Sequence, residues 1–284
     1  MVYKTVHLYF TKLTKMNLSD VKLVVTDMDG TLLNSKHQVS DLFFKQFEAL
    51  RANNIHFVAA SGRQYHSILD KLSAIKEHIT IVAENGAYIV QNDEELYVNA
   101  ISQADVENLL QLCTDIDGVH LVVCGKNKAY ILNESEQFQN TIAEYYTEYM
   151  VLNSFSELPD DDFFKIALCH HDGSEEFIYP FVKHLENDWQ IKISGKLWID
   201  ISQDSSHKGN AIAQIQKQHG VTKAQTMAFG DYNNDLEMLK KASFSYAMEN
   251  AHPNVKKVAK YHTLTNDNNG VEAVLATLLA SINP

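Results

Sequence analysis

Cysteine is scarce in this chain of 284 residues, which contains only Cys113, Cys124 and Cys169. No two of them have the CxxC spacing that is typical of zinc knuckles and redox sites. The sequence therefore indicates neither a disulfide framework nor a cysteine metal site, and a reducing cytoplasm is the expected location. Proline and glycine are also few, with 4 and 11 residues. We therefore expect short connections between domains and no long flexible linker.

Basic residues and long apolar runs are also in short supply. Lysine and arginine number 24 against 36 aspartates and glutamates, which gives a net charge of −12 with neutral histidine. Proteins that bind nucleic acid carry basic patches, and a membrane-spanning helix needs about 18 to 20 apolar residues in a row. We therefore expect no nucleic-acid partner and no membrane partner. Residues 1–17 mix lysine and histidine with apolar residues, unlike a signal peptide, and are expected to form an N-terminal arm.

Apolar segments and amphipathic helices alternate in two parts of the chain. In residues 18–86 the pattern is strand, helix, strand, helix, strand, and the alternation returns in residues 197–284. This order is typical of α/β architecture with a parallel, doubly wound, Rossmann-like sheet. The predicted strands of this sheet lie at residues 21–26, 55–60, 79–83, 197–201, 225–229 and 244–247.

The residues between these two parts have a different pattern. Short strand-like segments at 119–124 and 129–132 are close enough to predict a hairpin, which a purely parallel sheet would not contain. Further strand-like segments, interleaved with helical ones, lie at residues 87–90, 163–168 and 191–194. We therefore expect residues 87–196 to form an α+β domain that is inserted into the first domain and acts as a lid.

Two aspartates follow the first predicted strand. Asp27 and Asp29 are two residues apart on an extended segment, so their side chains point the same way at the carboxyl end of the strand. Carboxylates this close share a proton or hold a hard cation such as Mg²⁺, whereas an Asx-rich turn is the plain structural alternative. A calcium loop is excluded, because it needs glycine at its sixth and glutamate at its twelfth position, where this sequence has Leu32 and Gln38.

The segment that follows the predicted strand at 225–229 is acidic and opens a helix. It contains Asp231, Asn234 and Asp235. Backbone amides at a helix start favour anions, while the carboxylates favour a cation, so this position suits a metal bound beside a phosphate. The alternative is that Asn234 and Asp235 are only helix caps.

Two weaker motifs also follow predicted strands. Ser61-Gly62-Arg63 offers a hydroxyl and free amides to a phosphate, although it is also a plausible strand-to-helix turn. Lys208 precedes the next predicted helix and could act as a point charge on a phosphoryl oxygen, although a lone loop lysine is usually solvated. Because all four motifs follow strands of one predicted sheet, we expect them to converge at its carboxyl edge.

In their order along the chain, DMDGTL, SGR, Lys208 and GDxxND resemble the motifs of the haloacid dehalogenase (HAD) superfamily of phosphotransferases. The long insertion, with Glu84-Asn85-Gly86-Ala87 at the first domain junction, is similar to the type IIB cap of the Cof-type sugar phosphatases. The resemblance covers the chain from about residue 21 onward. It implies a catalytic core at 18–86 and 197–284, a cap at 87–196, and a cytoplasmic, Mg²⁺-dependent hydrolase of small phosphate monoesters, with sugar phosphates as the expected substrates.

The resemblance also implies roles for individual residues. Asp27 would attack phosphorus and form an aspartyl phosphate, and Asp29 would protonate the leaving alcohol and then activate water. The Asp27 carboxylate, the Asp29 backbone carbonyl and Asp231 would hold Mg²⁺, with Asp235 either a ligand or just outside the ligand set. The residues expected to bind the phosphoryl group of the substrate are Ser61, Gly62, Lys208 and Asn234.

Three other functions remain open at this point. A phosphomutase can share the same core and cap, and would return the phosphoryl group to a second hydroxyl. A metal-dependent glycosyltransferase could use Asp27 and Asp29 as a DxD site, but this would leave Lys208 without a role. A non-catalytic sensor of phosphorylated ligands is disfavoured by the intact carboxylates. The expected partner is a small phosphorylated metabolite, and the expected state is a monomer or a weak homodimer.

Overall fold

A computed structural model of the protein describes residues 18–132 and 135–282, and the expected arm at residues 1–17 lies outside this part of the chain. The strands are β1 (Leu23–Thr26), β2 (His56–Ala60), β3 (Thr80–Ala83), β4 (Tyr88–Gln91), β5 (Glu94–Val98), β6 (His120–Gly125), β7 (Ala129–Leu132), β8 (Tyr149–Leu152), β9 (Phe163–Cys169), β10 (Gln190–Ile193), β11 (Trp198–Ser202), β12 (Thr226–Gly230), β13 (Phe244–Ala247) and β14 (Tyr261–His262). The α-helices are α1 (Asp41–Ala52), α2 (Tyr65–Lys71), α3 (Gln103–Cys113), α4 (Glu136–Tyr145), α5 (Ser174–Phe177), α6 (Tyr179–Val182), α7 (Lys208–His219), α8 (Leu236–Lys240), α9 (Pro253–Val258) and α10 (Gly270–Ile282). None of the helices in this described part is long and apolar enough to cross a membrane.

The larger of two sheets has eight strands in the order β14-β13-β12-β1-β2-β3-β4-β5. The six strands from β14 to β3 in this order are parallel. β1 lies between β12 and β2, and its apolar sequence is buried throughout, as is typical of a central parallel strand covered on both faces. The carboxyl ends of β1, β2 and β12 therefore meet at one edge, where open α/β sheets bind their ligands.

The strand predicted at 87–90 belongs to this larger sheet, so its assignment to the inserted domain is wrong. It is β4, which pairs antiparallel with β3 after a short turn at Glu84–Gly86. Asn85 in this turn has a φ of 55°, a left-handed conformation that asparagine tolerates better than most residues. Because the turn reverses the chain at once, β4 and β5 extend the same sheet, and the chain leaves it only after Val98.

The smaller sheet has six strands in the order β10-β11-β9-β6-β7-β8. β6 and β7 form the expected hairpin. The strand predicted at 197–201 for the larger sheet is β11, which pairs antiparallel with β9 and β10, so that prediction is also wrong. The connection from β10 to β11 is too short for the crossover that a parallel neighbour requires, so β11 folds back onto β10. The smaller sheet thus ends at Ser202 and not at the predicted boundary of residue 196.

Helices cover both faces of the smaller sheet, and residues 101–202 are called the insert below. On one face, apolar residues of α3 and α6 and of the segments around them form a buried cluster. On the other face, Phe138 and Ile142 of α4 are buried. The end of α4 approaches the larger sheet, since Arg63 Nη1 donates a 3.1 Å hydrogen bond to the carbonyl of Glu144. The architecture is therefore the expected one, a doubly wound α/β core with an inserted α+β unit over its carboxyl edge.

Candidate active site

Lys208 and two aspartates form a buried triad beneath the carboxyl edge of the larger sheet. Asp27 directly follows β1, Lys208 is the first residue of α7, and Asp235 ends the 3₁₀ turn after β12. The ammonium Nζ of Lys208 lies 2.5 Å from Asp27 Oδ1 and 2.7 Å from Asp235 Oδ1. Lys208 and Asp235 are wholly buried, so water cannot replace these bonds. The lysine therefore fixes both carboxylates and is not the solvated surface residue of the structural alternative.

The carboxylates of Asp27, Asp231 and Asp235 outnumber the single ammonium of Lys208 in this part of the site. Burial, reinforced by the neighbouring charge of Asp235, raises the pKa of Asp27 to about 7, although Lys208 opposes the shift. Burial and the charges of Asp27 and Asp235 also raise the pKa of Asp231 well above its usual range. Carboxylates that are kept close together against their own repulsion need a proton or a cation. The arrangement is therefore suited to binding a positive ion.

The donor set fits a hard divalent cation. Carboxylate oxygens of Asp27, Asp231 and Asp235 lie within 4.8 Å of one another. Asp231 comes close to the DMDGTL turn, since a Cβ added at Gly30 would collide with its carboxylate. Asp235 is differently placed, because its Oδ2 accepts hydrogen bonds from the backbone amides of Asp231 and Tyr232 while Oδ1 accepts from Lys208. Asp27 and Asp231 are thus better placed than Asp235 to offer free oxygens to Mg²⁺.

Asp29 has a different environment from Asp27. Its side chain is 36% exposed, and its carboxylate is held by Arg63 rather than by the triad. His37 Nδ1 lies 3.5 Å from Asp29 Oδ1. Burial alone would raise the pKa of Asp29, but hydrogen bonds from His37 and Arg63 outweigh it and hold the pKa well below its usual range. Two carboxylates two residues apart are thereby given opposite proton affinities, which is the arrangement expected of groups with different chemical roles.

The phosphate-binding candidates lie beside these carboxylates. Ser61 follows β2, and its Oγ accepts a 3.1 Å hydrogen bond from the backbone amide of Arg63. Asn234 lies in the turn after β12 and is buried. The residues expected from the sequence that line one cavity of about 420 Å³ are Asp27, Asp29, Ser61, Gly62, Asp231 and Asn234. Lys208 and Asp235, the other two expected residues, lie behind the cavity wall, where Lys208 contacts Asp27 and Asp235 contacts the backbone of Asp231.

The insert supplies cavity residues that were not among the expected site residues. Tyr145, Lys165, Trp198 and Asp200 line the same cavity as the aspartates. The rings of Tyr145 and Trp198 meet edge to face, with centroids 5.6 Å apart. Lys165 and Asp200 are buried charged residues within otherwise apolar strands. A lone charge in such a strand is the one sequence signal that could have identified them, because unpaired charges are rarely buried.

Known proteins are similar to this chain in sequence and in fold. Residues 24–275 match the family described as haloacid dehalogenase-like hydrolase, and the chain belongs to this family. The 5-amino-6-(5-phospho-D-ribitylamino)uracil phosphatase YbjI of Escherichia coli K12 is 34% identical over 91% of this chain and 96% of its own length. The crystal structure of SMU.1108c from Streptococcus mutans UA159 has a TM-score of 0.86 at 34% identity, covering 92% of this chain and 99% of that one.

A more distant structure shows the same fold. The HAD subclass IIB sugar phosphatase BT4131 has a TM-score of 0.79 at 24% identity, covering 90% of this chain and 98% of that chain. The expected family is confirmed by the family match and by the relative from Escherichia coli, while BT4131 shares the fold. The protein is an enzyme, a phosphoric monoester hydrolase of the haloacid dehalogenase type.

Proposed function

We propose that this enzyme is a Mg²⁺-dependent phosphatase that hydrolyses small phosphate monoesters through an aspartyl phosphate on Asp27. The observation that carries the proposal is the buried bridge from Lys208 to Asp27 and Asp235, beside the carboxylate of Asp231. A lysine in this position orients the Asp27 carboxylate toward the cavity and offsets charge on an incoming phosphoryl group. The same bridge leaves the glycosyltransferase hypothesis without support, since that chemistry gives Lys208 no role.

Each ionisable residue then has a defined task. Asp27, Asp231 and the backbone carbonyl of Asp29 would hold Mg²⁺, while Asp235 orients the loop through its backbone hydrogen bonds. The bound ion would neutralise developing charge on the phosphoryl oxygens. Asp27 attacks phosphorus as the bond from phosphorus to the leaving oxygen breaks, and Asp29 gives that oxygen a proton. Asp29 then takes a proton from the water that attacks phosphorus, which releases phosphate and restores Asp27.

Arg63 must change partners for this cycle to run. While its guanidinium forms two hydrogen bonds to Asp29, the carboxylate is kept ionised and cannot donate a proton. A phosphate group in the cavity is an alternative partner of matching geometry for a guanidinium. Binding of the ester would therefore free Asp29 to take up a proton from solvent, which it then donates to the leaving oxygen. The phosphoryl oxygens would also contact Ser61, Gly62 and Asn234.

The expected substrate is the phosphate ester of a sugar or a polyol, and one such ester receives specific support. YbjI, the relative from Escherichia coli, is named as a phosphatase of 5-amino-6-(5-phospho-D-ribitylamino)uracil, a ribityl phosphate that carries a pyrimidine ring. In this chain, Tyr145 and Trp198 give the cavity an aromatic wall on the insert side. Aromatic side chains stack favourably on flat rings. We therefore include this compound beside simple sugar phosphates as a candidate substrate.

A phosphate-ester panel tests the proposal. Purified enzyme with Mg²⁺ should release inorganic phosphate from sugar and polyol phosphates, and release should stop when a chelator is added. No turnover on any ester would refute the proposal and favour a sensor of phosphorylated ligands. Product analysis with a hexose phosphate distinguishes a phosphatase from a phosphomutase, the remaining alternative. A phosphomutase would yield an isomeric phosphate ester and little free phosphate.

A further inference from the structure

Lys165 of the insert contacts the Ser61-Gly62-Arg63 loop of the core, which is expected to bind phosphate. It lies in the middle of β9, and its side chain is 4% exposed. Its Nζ donates a 2.6 Å hydrogen bond to the backbone carbonyl of Gly62. The same ammonium lies 3.1 Å from Glu84 Oε2 and 3.3 Å from Asp200 Oδ2. The contacts with Gly62 and Asp200 are hydrogen bonds, whereas the contact with Glu84 is an ion pair.

Asp200 connects the insert, through Asn85, to the turn after β12 that carries Asn234. Its Oδ2 accepts a 2.7 Å hydrogen bond from Asn85 Nδ2. Asn85 Oδ1 in turn accepts a 3.1 Å hydrogen bond from Asn234 Nδ2. The amide of Asn85 therefore joins an insert carboxylate to a residue that is expected to bind phosphate. Asn85 itself is fixed in the turn between β3 and β4.

These contacts differ from an ordinary surface ion pair between two domains. Lys165, Glu84 and Asp200 are all buried and have lost their hydration. Their charges therefore depend on one another to offset the cost of that loss. If the insert moved away, Gly62 would lose its hydrogen bond from Lys165, and Asn85, the partner of Asn234, would lose its hydrogen bond to Asp200. By contrast, Lys192 of β10 and Glu237 of α8 form a partly exposed pair at 2.9 Å between the insert and the core, and neither residue lines the cavity.

We propose that the insert completes the phosphate site, with Lys165 and Asp200 acting as positioning residues for Gly62 and Asn234. The inference rests on the proposed function, because it takes Gly62 and Asn234 as contacts of the phosphoryl group. Seating of the insert and binding of phosphate are then coupled, and each must favour the other to the same extent. A lid that only selects the leaving group would lack this coupling.

Replacing Lys165 tests the proposal with ligands that hardly contact the insert. In Lys165→Met, the inhibition constant of inorganic phosphate in the presence of Mg²⁺ should rise about tenfold or more, the range expected for a lost hydrogen bond to a charged group. The kcat/KM values for p-nitrophenyl phosphate and for larger esters should fall by one common factor. The matched control Lys192→Met removes the partly exposed ion pair with Glu237. It should change the inhibition constant and the kcat/KM values less than twofold.

Two results would overturn the inference. One is a Lys165→Met enzyme that binds inorganic phosphate like the wild type, and the other is a loss confined to the larger esters. A wild-type enzyme without phosphatase activity would instead refute the proposed function, so the two failures are distinguishable.

A measurement on the wild type covers the case in which Lys165→Met does not fold. Saturating inorganic phosphate with Mg²⁺ should slow hydrogen exchange of the backbone amides in β9 and β11, although both strands belong to the insert. Exchange that slows only in the core loops would show that phosphate binding and insert seating are independent, and would overturn the inference.

Discussion

Arg63 donates two hydrogen bonds of 2.6 Å to the carboxylate of Asp29, from Nε to Oδ2 and from Nη2 to Oδ1. The same guanidinium lies 5.3 Å from the ring centre of Tyr145 and contacts the carbonyl of Glu144 in the insert. One arginine of the SGR motif therefore contacts both the proposed general acid and the end of α4. The state of Asp29 and the position of α4 are connected through this side chain.

Removing this arginine should raise the pKa of Asp29. In Arg63→Met the effect of burial is offset by His37 alone, so the carboxyl group should titrate at a higher pH than in the wild type. The ¹³C chemical shift of the Asp29 carboxyl carbon, followed against pH, measures the change. Arg51→Met, which removes an exposed arginine paired with Glu48, is the control and should leave the titration unchanged. An unchanged titration in Arg63→Met would show that Arg63 does not set this pKa.

Asp27→Asn should abolish turnover while leaving the fold intact. The amide keeps the shape of the side chain but is no longer an anionic nucleophile. Phosphate release is the measurement, with mass spectrometry to exclude deamidation back to aspartate. Asp70→Asn, which changes an exposed aspartate on α2, should retain full activity. Residual activity above a few per cent in Asp27→Asn would remove this residue from the role of nucleophile.

Binding of Mg²⁺ should weaken as the pH falls. Because the pKa of Asp27 is raised to about 7 in the metal-free protein, this group is largely ionised at pH 8 and largely protonated at pH 6. A cation must displace that proton, so the apparent affinity should be about tenfold lower at pH 6 than at pH 8 for one titrating group. Calorimetry in buffers of different ionisation enthalpy measures both the affinity and the released protons. Equal affinity at the two pH values would contradict this prediction.

Asp231→Ala should raise the Mg²⁺ concentration required for half-maximal activity. The substitution removes one carboxylate from a group of three whose oxygens lie within 4.8 Å of one another. A titration of activity against Mg²⁺ provides the measurement, and Asp267→Ala, at an exposed aspartate outside this group, provides the control. If the two variants show the same metal requirement, Asp231 is not a ligand.

Tyr145→Ala should reduce the preference for leaving groups that carry a ring. The ratio of kcat/KM for 5-amino-6-(5-phospho-D-ribitylamino)uracil to that for ribitol 5-phosphate should fall about two- to tenfold, the range expected for one aromatic contact. Taking the ratio cancels any effect that passes through Arg63 and changes both substrates alike. A constant ratio would show that Tyr145 does not contact the ring.

The sequence by itself determined the order of the motifs and the sheet edge at which they meet. The strand patterns before Asp27, Ser61 and Asp231 are local, and parallel strands necessarily bring their carboxyl ends together. The seven expected site residues that follow these strands accordingly lie in the cavity wall or directly behind it. Lys208 joins them although β11, the strand before it, belongs to the smaller sheet. Their chemical roles in this chain stay predictions.

Only the tertiary structure decided which sheet β4 and β11 join and which insert residues contact the core. Strand pattern does not distinguish a partner in one sheet from a partner in another, because pairing depends on the geometry of short connections such as Glu84–Gly86. The contact between Lys165 and Gly62 joins residues 103 positions apart. Such a contact has no local signature, because burial makes a charged residue require a partner without specifying where along the chain that partner lies.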